Sequence, residues 1–591
     1  MNKKSDPFTK DSILSKMINK RVKSAKRTHD KYILSNYTLS KDNKKEKQDE
    51  ICKYMPSRKK WISLGEAKRR KEVNSNKLGN QICFSSKDSV KKNKKRLELT
   101  IIKDSSLAIK PKYFSDLNQF IDDIIEDFNH DKLSIRTPRI IPKKKDETGK
   151  KLRPLCVFEL RDNIILQEVN SFLIQNCDKY FCNCSYAFRG KMQINGEIKI
   201  PTHHDTIDKI LQYRNAHLNE KIYVTEYDLK KFFDTIDHSI IRTKLDLLLD
   251  ENSLHIEDFW KTRIKHVFDN YLSCYTFYDC IFSKNKDYEY LKESGFPNGK
   301  FEWVPELEKQ FKKKNFKKRI GIPQGGALSG FIANLVLNEV DQKLMGLNDP
   351  DLLYLRYCDD MIMLHTNKKK LKKAANIYRK IIKKNKLFVH KPTKIKKYDK
   401  NFYESKSRSI YIWGDIKEKK IPWISFVGYQ IGFNGEVRIR KQSIKKELDK
   451  QKKVVDDTIK QISNKQMKNP LKIIRSAIQR LQGMSVGHIN LYSYDPNPSL
   501  CWITGFSKVN KNKFTIQQMK GLDKNRCKQI KRLCKYIEYK IKRNQNNTNI
   551  QKDNTRDDPE IIYSGKPFSY YSWIEKNREN YNDNRSKVND Y

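Results

Sequence analysis

Leu352-Leu-Tyr-Leu-Arg-Tyr-Cys-Asp-Asp-Met-Ile-Met-Leu364 is the stretch on which the reading of this chain turns. Residues 352–357 and 361–364 are two short apolar runs, and Cys358, Asp359 and Asp360 stand between them. Apolar runs of this length around a brief polar break read as a β-hairpin, here with two adjacent carboxylates at its tip. Acids held between buried strands repel each other, so the hairpin needs a cation whatever its purpose. A divalent metal is the simplest supply.

Working outward, a third carboxylate stands upstream. In Lys221-Ile-Tyr-Val-Thr-Glu-Tyr-Asp228, the alternation of Ile222 and Val224 with polar neighbours suits a strand that ends at Asp228. Phe232, Phe233 and Asp234 follow, and then a helix beginning near His238. Three carboxylates on separate strands are enough to hold two Mg²⁺ about 3.5–4 Å apart, the arrangement that activates a hydroxyl nucleophile and stabilises a leaving pyrophosphate. Mg²⁺ favours one or two carboxylates completed by phosphate oxygens, which suits a nucleotide substrate. Mn²⁺ is the alternative ion.

Between the acidic elements lies Gly321-Ile-Pro-Gln-Gly-Gly-Ala-Leu-Ser329. Its glycines let backbone approach a ligand closely, and the following helix carries Leu328, Ile332, Leu335, Val336, Val340 and Leu344 on one face. A Gly-Gly turn before a helix is weak by itself. Its position between the acids gives it weight.

Composition narrows the partner. The 591 residues hold 123 Lys plus Arg against 71 Asp plus Glu, a net charge of +52. Such an excess points to a polyanion, and nucleic acid is the commonest; a genome that favours Lys codons is the plainer source. Twelve cysteines lie scattered with no CxxC pair or Cys/His cluster at zinc spacing, which fits reduced thiols in a cytoplasmic protein. No run approaches the ~20 apolar residues of a membrane span, so no membrane partner is expected.

The order of these elements resembles the reverse transcriptase family over about residues 135–445. Tyr357-Cys-Asp-Asp360 is similar to its Tyr-x-Asp-Asp box, and Asp228-Leu-Lys-Lys-Phe-Phe-Asp234 to its first metal motif in the group II intron form. Pro323-Gln-Gly-Gly-Ala-Leu-Ser329 resembles the next, with Gly330 where group II relatives usually carry Pro. Arg139-Ile-Ile-Pro-Lys143, Lys151-Leu-Arg-Pro-Leu155 and Ser185-Tyr-Ala-Phe-Arg189 resemble the fingers blocks. Phe426-Val-Gly-Tyr429 resembles the primer-grip hairpin, with Asn434-Gly435 as its turn. Lys391-Pro-Thr-Lys394 is the least clear match, and which lysine aligns stays open.

The resemblance implies an α+β right-hand polymerase of fingers, palm and thumb, with RNA template, DNA product and dNTPs as partners. Asp228, Asp359 and Asp360 would be the catalytic metal ligands. Arg153 and Lys143 would meet the incoming triphosphate, a task suited to guanidinium geometry; an ordinary surface Arg is the plainer reading. Phe233 would be the gate that excludes a ribose 2′-hydroxyl, or simply a core aromatic, or both. Gln324, Gly325 and Gly326 would line the nucleotide pocket, and Gly428 and Tyr429 would place the primer end. Bacterial "unknown group" enzymes, several of them acting in antiphage defence, are the subgroup to which Arg438-Ile-Arg-Lys-Gln-Ser-Ile-Lys-Lys446 and Met519-Lys-Gly-Leu-Asp-Lys-Asn-Arg526 are similar. A dedicated non-coding RNA, a protein partner or a second copy of the chain would then join it.

The expected organisation is a basic N-terminal extension over 1–112, fingers over 113–220, and a palm over 221–441 with finger insertions at about 255–318. A helical thumb over 442–543 and a polar tail over 544–591 follow. The extension reads equally as a basic arm or as solvated disorder, although residues 13–18 form an apolar helical piece. Lys445, Lys446, Lys450, Lys452 and Lys453 share one thumb helix, with Lys465, Lys468 and Lys472 after it, and would meet a duplex backbone unless they are only a solvated face. Two alternatives stay open: a polymerase of atypical templating, and a nucleic-acid-binding scaffold that keeps the fold without the chemistry.

Overall fold

The structure is a computed structural model. It describes residues 6–36, 38–39, 49–61, 86–144, 152–283, 301, 304–312, 319–393, 398–414, 422–485, 505, 508–509, 512–545 and 568–569. The chain divides into two compact units: Met1–Met17 with Asn118–Val427 and Ile431–Gly435, and Ile18–Leu117 with Gly428–Gln430 and Glu436–Tyr591. The fold is of mixed helix and strand, as expected.

The first unit is built on a four-stranded sheet. Its main elements are β1 (Arg139–Lys144), β2 (Leu152–Val157), α1 (Leu160–Cys177), β3 (Ile222–Tyr227), α2 (His238–Leu249), α3 (Asp258–Ser273), α4 (Ser329–Met345), β4 (Leu353–Tyr357), β5 (Asp360–His365), α5 (Lys368–Lys384) and β6 (Arg408–Gly414). The sheet order is β4-β5-β3-β6, antiparallel throughout. Antiparallel pairing allows β4 and β5 to join through a tight turn, with Tyr357 directly opposite Asp360. Met361, Ile362, Met363 and Leu364 of β5 are all buried, so this strand is covered on both faces.

Helices α4 and α5 supply part of that cover. In α4, thirteen of seventeen residues are buried, including Asn334, Asn338 and Asp341, so its polar groups need partners. In α5, Leu371, Ala374, Ala375, Tyr378, Ile381 and Ile382 recur at helical spacing and are buried, while the lysines between them face outward. Asn367 caps α5 by accepting from the Lys369 and Lys370 amides at 2.9 and 3.2 Å.

The chain's first residues dock on this unit. The ring of Phe8 stacks on Phe128 at 3.7 Å, beside Trp260. Glu168 of α1 is fully buried and meets Lys16 Nζ at 2.6 Å, Ser12 Oγ at 2.8 Å and the Phe8 amide at 3.0 Å. The apolar piece at 13–18 is thus helical, and Ile13 and Met17 are buried within the chain itself.

In the second unit the helices Lys441–Ile462, Pro470–Ser485 and Lys513–Gln545 pack together. Val455, Ile462, Ile473, Leu481, Leu533 and Ile537 form their shared core. Lys540 Nζ donates to the carbonyls of Ser463 and Lys465 at 2.8 and 2.7 Å, satisfying groups that a helix end leaves open. The strand Gln466–Met467 pairs with Thr38–Leu39, a short break in the expected helical stretch that the N-terminal region holds. Asp523 accepts from the amides of Phe568 and Ser569 at 3.1 and 2.8 Å, which ties these two residues to the long helix.

Candidate active site

Asp228 follows the last residue of β3, and Asp359 sits in the β4–β5 turn. Because β3 pairs with β5, with Tyr227 opposite Met361, the strand end and the turn lie side by side. The ring of Tyr227 stacks on Tyr378 of α5. Successive strand side chains point to opposite faces, so Asp228 is directed away from that helix. Burial and then the neighbouring Asp228 raise the pKa of Asp359, the signature of two carboxylates competing for one place. Asp360 opens β5 and is exposed.

The turn is held from beneath by a fully buried cation. Arg356 of β4 makes a bidentate contact with Asp341 of α4, its Nε lying 2.9 and 3.0 Å from the two carboxylate oxygens. Its Nη1 donates to Asn334 Oδ1 at 3.1 Å and to the Cys358 carbonyl at 3.0 Å. Tyr354 Oη donates to Asp341 at 2.8 Å. Cys358 has φ of 60°, a left-handed conformation that few non-glycine residues adopt, and the bond to its carbonyl helps hold it there. Arg356, Asp341, Asn334 and Tyr354 thereby fix the backbone from which Asp359 projects.

A second cation reaches the acids themselves. Lys406 Nζ lies 2.9 Å from Asp228 Oδ2, and His390 Nε2 lies 3.8 Å from the same oxygen. Burial and then the charge of Lys406 lower the pKa of His390 to about 4. The ring is therefore neutral near pH 7, and its Nε2 accepts from Lys406 at 3.3 Å. The cation that the acid pair demands on sequence grounds is present here as a side chain. Sequence reading missed Lys406 and His390. Lys406 stands 178 residues from its partner, and the pairing of β6 with β3 brings it there.

The loop at 320–326 lies along the segment after Asp228. The Gly321 amide donates to Ile236 and the Ile322 amide to Phe233, at 2.7 and 2.8 Å, and Gln324 Nε2 donates to Asp234 at 2.8 Å. The segments carrying Phe233 and Gln324 are thus brought together. Phe233 is partly exposed and packs edge-on to the buried Phe232. Gly325 has φ of 96°, and a Cβ there would stand 2.8 Å from Leu155 Cδ1, so this position requires glycine. A Cβ at Gly326 would meet Tyr271 Oη at 2.8 Å. Gly330 has a local reason as well: a Cβ there would lie 2.5 Å from Phe188, whose ring covers the start of α4.

On β1 and β2, Lys143 and Arg153 are directly opposed, and both are exposed. The Gln324 carbonyl accepts from the Cys156 amide at 2.9 Å, which joins this hairpin to the glycine loop. Gly428 and Tyr429 belong to the second unit, where Gly428 has φ of 96° and Tyr429 is buried. Of the least clear motif, Lys391 is exposed, Thr393 bridges to Arg408, and Lys394 lies outside the described residues.

Among the described residues, no three His, Cys, Asp or Glu side chains form a closed metal-ligand group. The donors fit Mg²⁺ nonetheless, since that ion is commonly held by one or two carboxylates with substrate phosphates and water completing its shell.

Residues 141–426 match the family model described as reverse transcriptase (RNA-dependent DNA polymerase). This stretch resembles a reverse transcriptase domain. It takes up just under half of the chain, lies within the first unit and contains all of the acids described above. Two curated proteins share sequence with the chain. The COX1/OXI3 intron 1 protein of Saccharomyces cerevisiae is 24% identical over 298 residues, 50% of this chain and 26% of that one. Protein YkfC of Escherichia coli is 24% identical over 194 residues, 33% of this chain and 38% of that one. The chain thus spans well under half the length of either. Solved structures that match include apo telomerase of Candida tropicalis, at 14% identity and a TM-score of 0.34 over 94% of this chain and 86% of that one. A C-terminally truncated form matches with 16% identity and a TM-score of 0.32, over 55% and 60%. Among the described residues no helix is long and apolar enough to cross a membrane.

Proposed function

We propose that the chain is an RNA-directed DNA polymerase that adds deoxynucleotides to a primer 3′-hydroxyl at Asp228 and Asp359. The supporting observation is the placing of those two carboxylates at adjacent strand ends inside the stretch that matches the reverse transcriptase model, with Phe233 and Gln324 on two segments hydrogen-bonded to each other.

In the reaction the 3′-hydroxyl oxygen bonds to the α-phosphorus, the bond to the bridging oxygen breaks, and pyrophosphate leaves. Asp228, Asp359 and Asp360 would hold two Mg²⁺ ions, which when bound would supply the charge that activates the hydroxyl and stabilises the leaving group. The protein's own part is positional. Arg356 fixes the turn carrying Asp359. Arg153 and Lys143 take the triphosphate oxygens, and Gln324, Gly325 and Gly326 shape the nucleotide pocket. Phe233 stands where a ribose 2′-hydroxyl would enter, and Gly428 and Tyr429 place the primer end. Lys406, 2.9 Å from Asp228 Oδ2, balances the charge of that carboxylate.

The test is primer extension by purified protein with Mg²⁺ and labelled dNTPs, beside an Asp359→Asn Asp360→Asn control. Synthesis that vanishes in the control supports the reading. Equal biological activity of the wild type and the acid variant would favour the scaffold reading. A finer proposal, a defence enzyme with a dedicated partner RNA, rests on the likeness of residues 438–446 and 519–526 to the "unknown group" enzymes. Sequencing the RNA that co-purifies with the chain tests it: one defined species is the expected result, and a random sample of cellular RNA contradicts it.

A further inference from the structure

The outer face of α5 carries a charge pattern that the polymerase site does not use. Its seventeen residues contain nine basic side chains and no acid, where the chain-wide proportion of 71 acidic to 123 basic residues would place several. By contrast, the helix Lys441–Ile462 intersperses Glu447, Asp449, Asp456 and Asp457 among its lysines.

At the two ends of α5 the charge is answered within the domain, Lys370 pairing with Asp349 at 3.2 Å and Lys384 with Glu339 at 2.7 Å. In the middle it is not. Lys369, Lys372, Lys373 and Lys380 are exposed, and among the described residues none of them has an acidic partner. With Asn376 and Ile377 they line a shallow groove of about 380 Å³, and from Lys369 to Lys380 the row runs about 16 Å along the helix. Like charges at helical spacing weaken a helix, and Lys368, Lys369 and Lys370 in its first turn oppose its dipole. The row is therefore a cost to the fold, one that a bound polyanion would offset.

We propose that this face binds a nucleic-acid backbone outside the polymerase cleft. Tyr227 faces α5 through its stack on Tyr378, and Asp228 is directed to the opposite side, so the sheet separates the lysine row from the acids. A strand bound here is not the primer–template under copying; it is a second segment, of template, product or partner RNA. A lipid surface fits less well, because a helix lying in a membrane offers its apolar side, and here that side is buried in the domain. The likeness to a nucleic-acid polymerase and the net charge of +52 favour nucleic acid over an acidic protein.

The test uses the full chain and its quadruple variant Lys369→Gln, Lys372→Gln, Lys373→Gln and Lys380→Gln, with a quadruple Arg variant as the charge-restoring control. Binding of a labelled 20-base-pair RNA duplex and of a 20-nucleotide single strand is followed by anisotropy across a salt series. Each lost phosphate contact lowers the slope of log K against log salt by roughly 0.7–0.9. The expected result is a slope smaller by about two to three and an affinity about tenfold lower at 50 mM salt, restored by arginine. Extension of a saturating primer–template should stay unchanged. An unchanged slope and affinity in a folded Gln variant overturns the proposal. Loss of binding to vesicles of anionic lipid, with RNA binding intact, also overturns it and assigns the face to a membrane. The binding readout needs no catalysis, so failure of the polymerase reading and failure of this surface are separate results.

Discussion

Replacing Arg356 by Met tests whether the geometry under the Asp359 turn is held by one buried network. Arg356 is completely buried, with its guanidinium on Asp341, Asn334 and the Cys358 carbonyl. In the Met variant Asp341 keeps Tyr354 Oη as a partner but loses its counter-charge, and breaking a buried ion pair from one side costs about 3–5 kcal/mol. Removing both charges together, as Arg356→Met with Asp341→Leu, leaves no uncompensated ion. The Cys358 and Asn334 oxygens still lose a donor, so about 1–3 kcal/mol remains lost. The pair should then show a coupling of about 2 kcal/mol or more in a double-mutant cycle. Thermal unfolding reads it at roughly 2 °C per kcal/mol for a large domain: a drop of about 6–10 °C for the single variant, with a substantial part recovered in the double. Primer extension adds what stability alone does not report. With the turn freed, kcat should fall in the double variant even where its melting point recovers. A single variant within about 2 °C of wild type, or a double that loses the sum of both singles, would refute the network.

Three further outcomes follow from the same structure. Burial opposes the ionisation of Glu339, but hydrogen bonds from Lys244 and Lys384 outweigh it and hold the carboxyl at about 2. A depressed acid stabilises the fold above its unfolded pKa and loses that contribution as pH falls through the folded value. Discounted for solvent screening of a partly exposed pair, Glu339→Gln should cost about 1 kcal/mol at pH 7 and progressively less as pH falls toward 2; a difference independent of pH would refute the ion pairing. Phe233→Ala should increase incorporation of ribonucleotides relative to deoxynucleotides, and no change would make Phe233 a packing residue only. Gly325→Ala places a Cβ 2.8 Å from Leu155 Cδ1 at a φ of 96°, at a cost of about 1–3 kcal/mol. A melting point equal to wild type would contradict the need for glycine there.

What the sequence made legible was local. The alternation at Ile222 and Val224 and the apolar runs around Asp359 locate β3, β4 and β5 within a residue or so, because strand and hairpin signals reside in adjacent residues. The helix after the glycine loop was equally plain from its apolar spacing. What escaped was long-range. Lys406 has no local pattern and acquires its place from sheet pairing. Arg356 reads as one polar residue in a strand, although it is among the largest fully buried side chains. The N-terminal residues read as a basic arm or as disorder, since Lys-rich helices have little apolar contrast. Their anchor on Glu168, more than 150 residues away, is visible only in three dimensions. Gly330 looked like a departure from pattern until Phe188 was found over it.

The central claim, that the chain copies RNA into DNA, is tested most directly by changing the template alone. One primer is annealed in turn to two RNAs of unrelated sequence and extended with Mg²⁺ and dNTPs, and the products are sequenced. Two DNA products are expected, each complementary to its own RNA and sensitive to DNase. The same product from both templates, a homopolymer or a fixed repeat, would contradict copying of RNA and point to a polymerase with atypical templating.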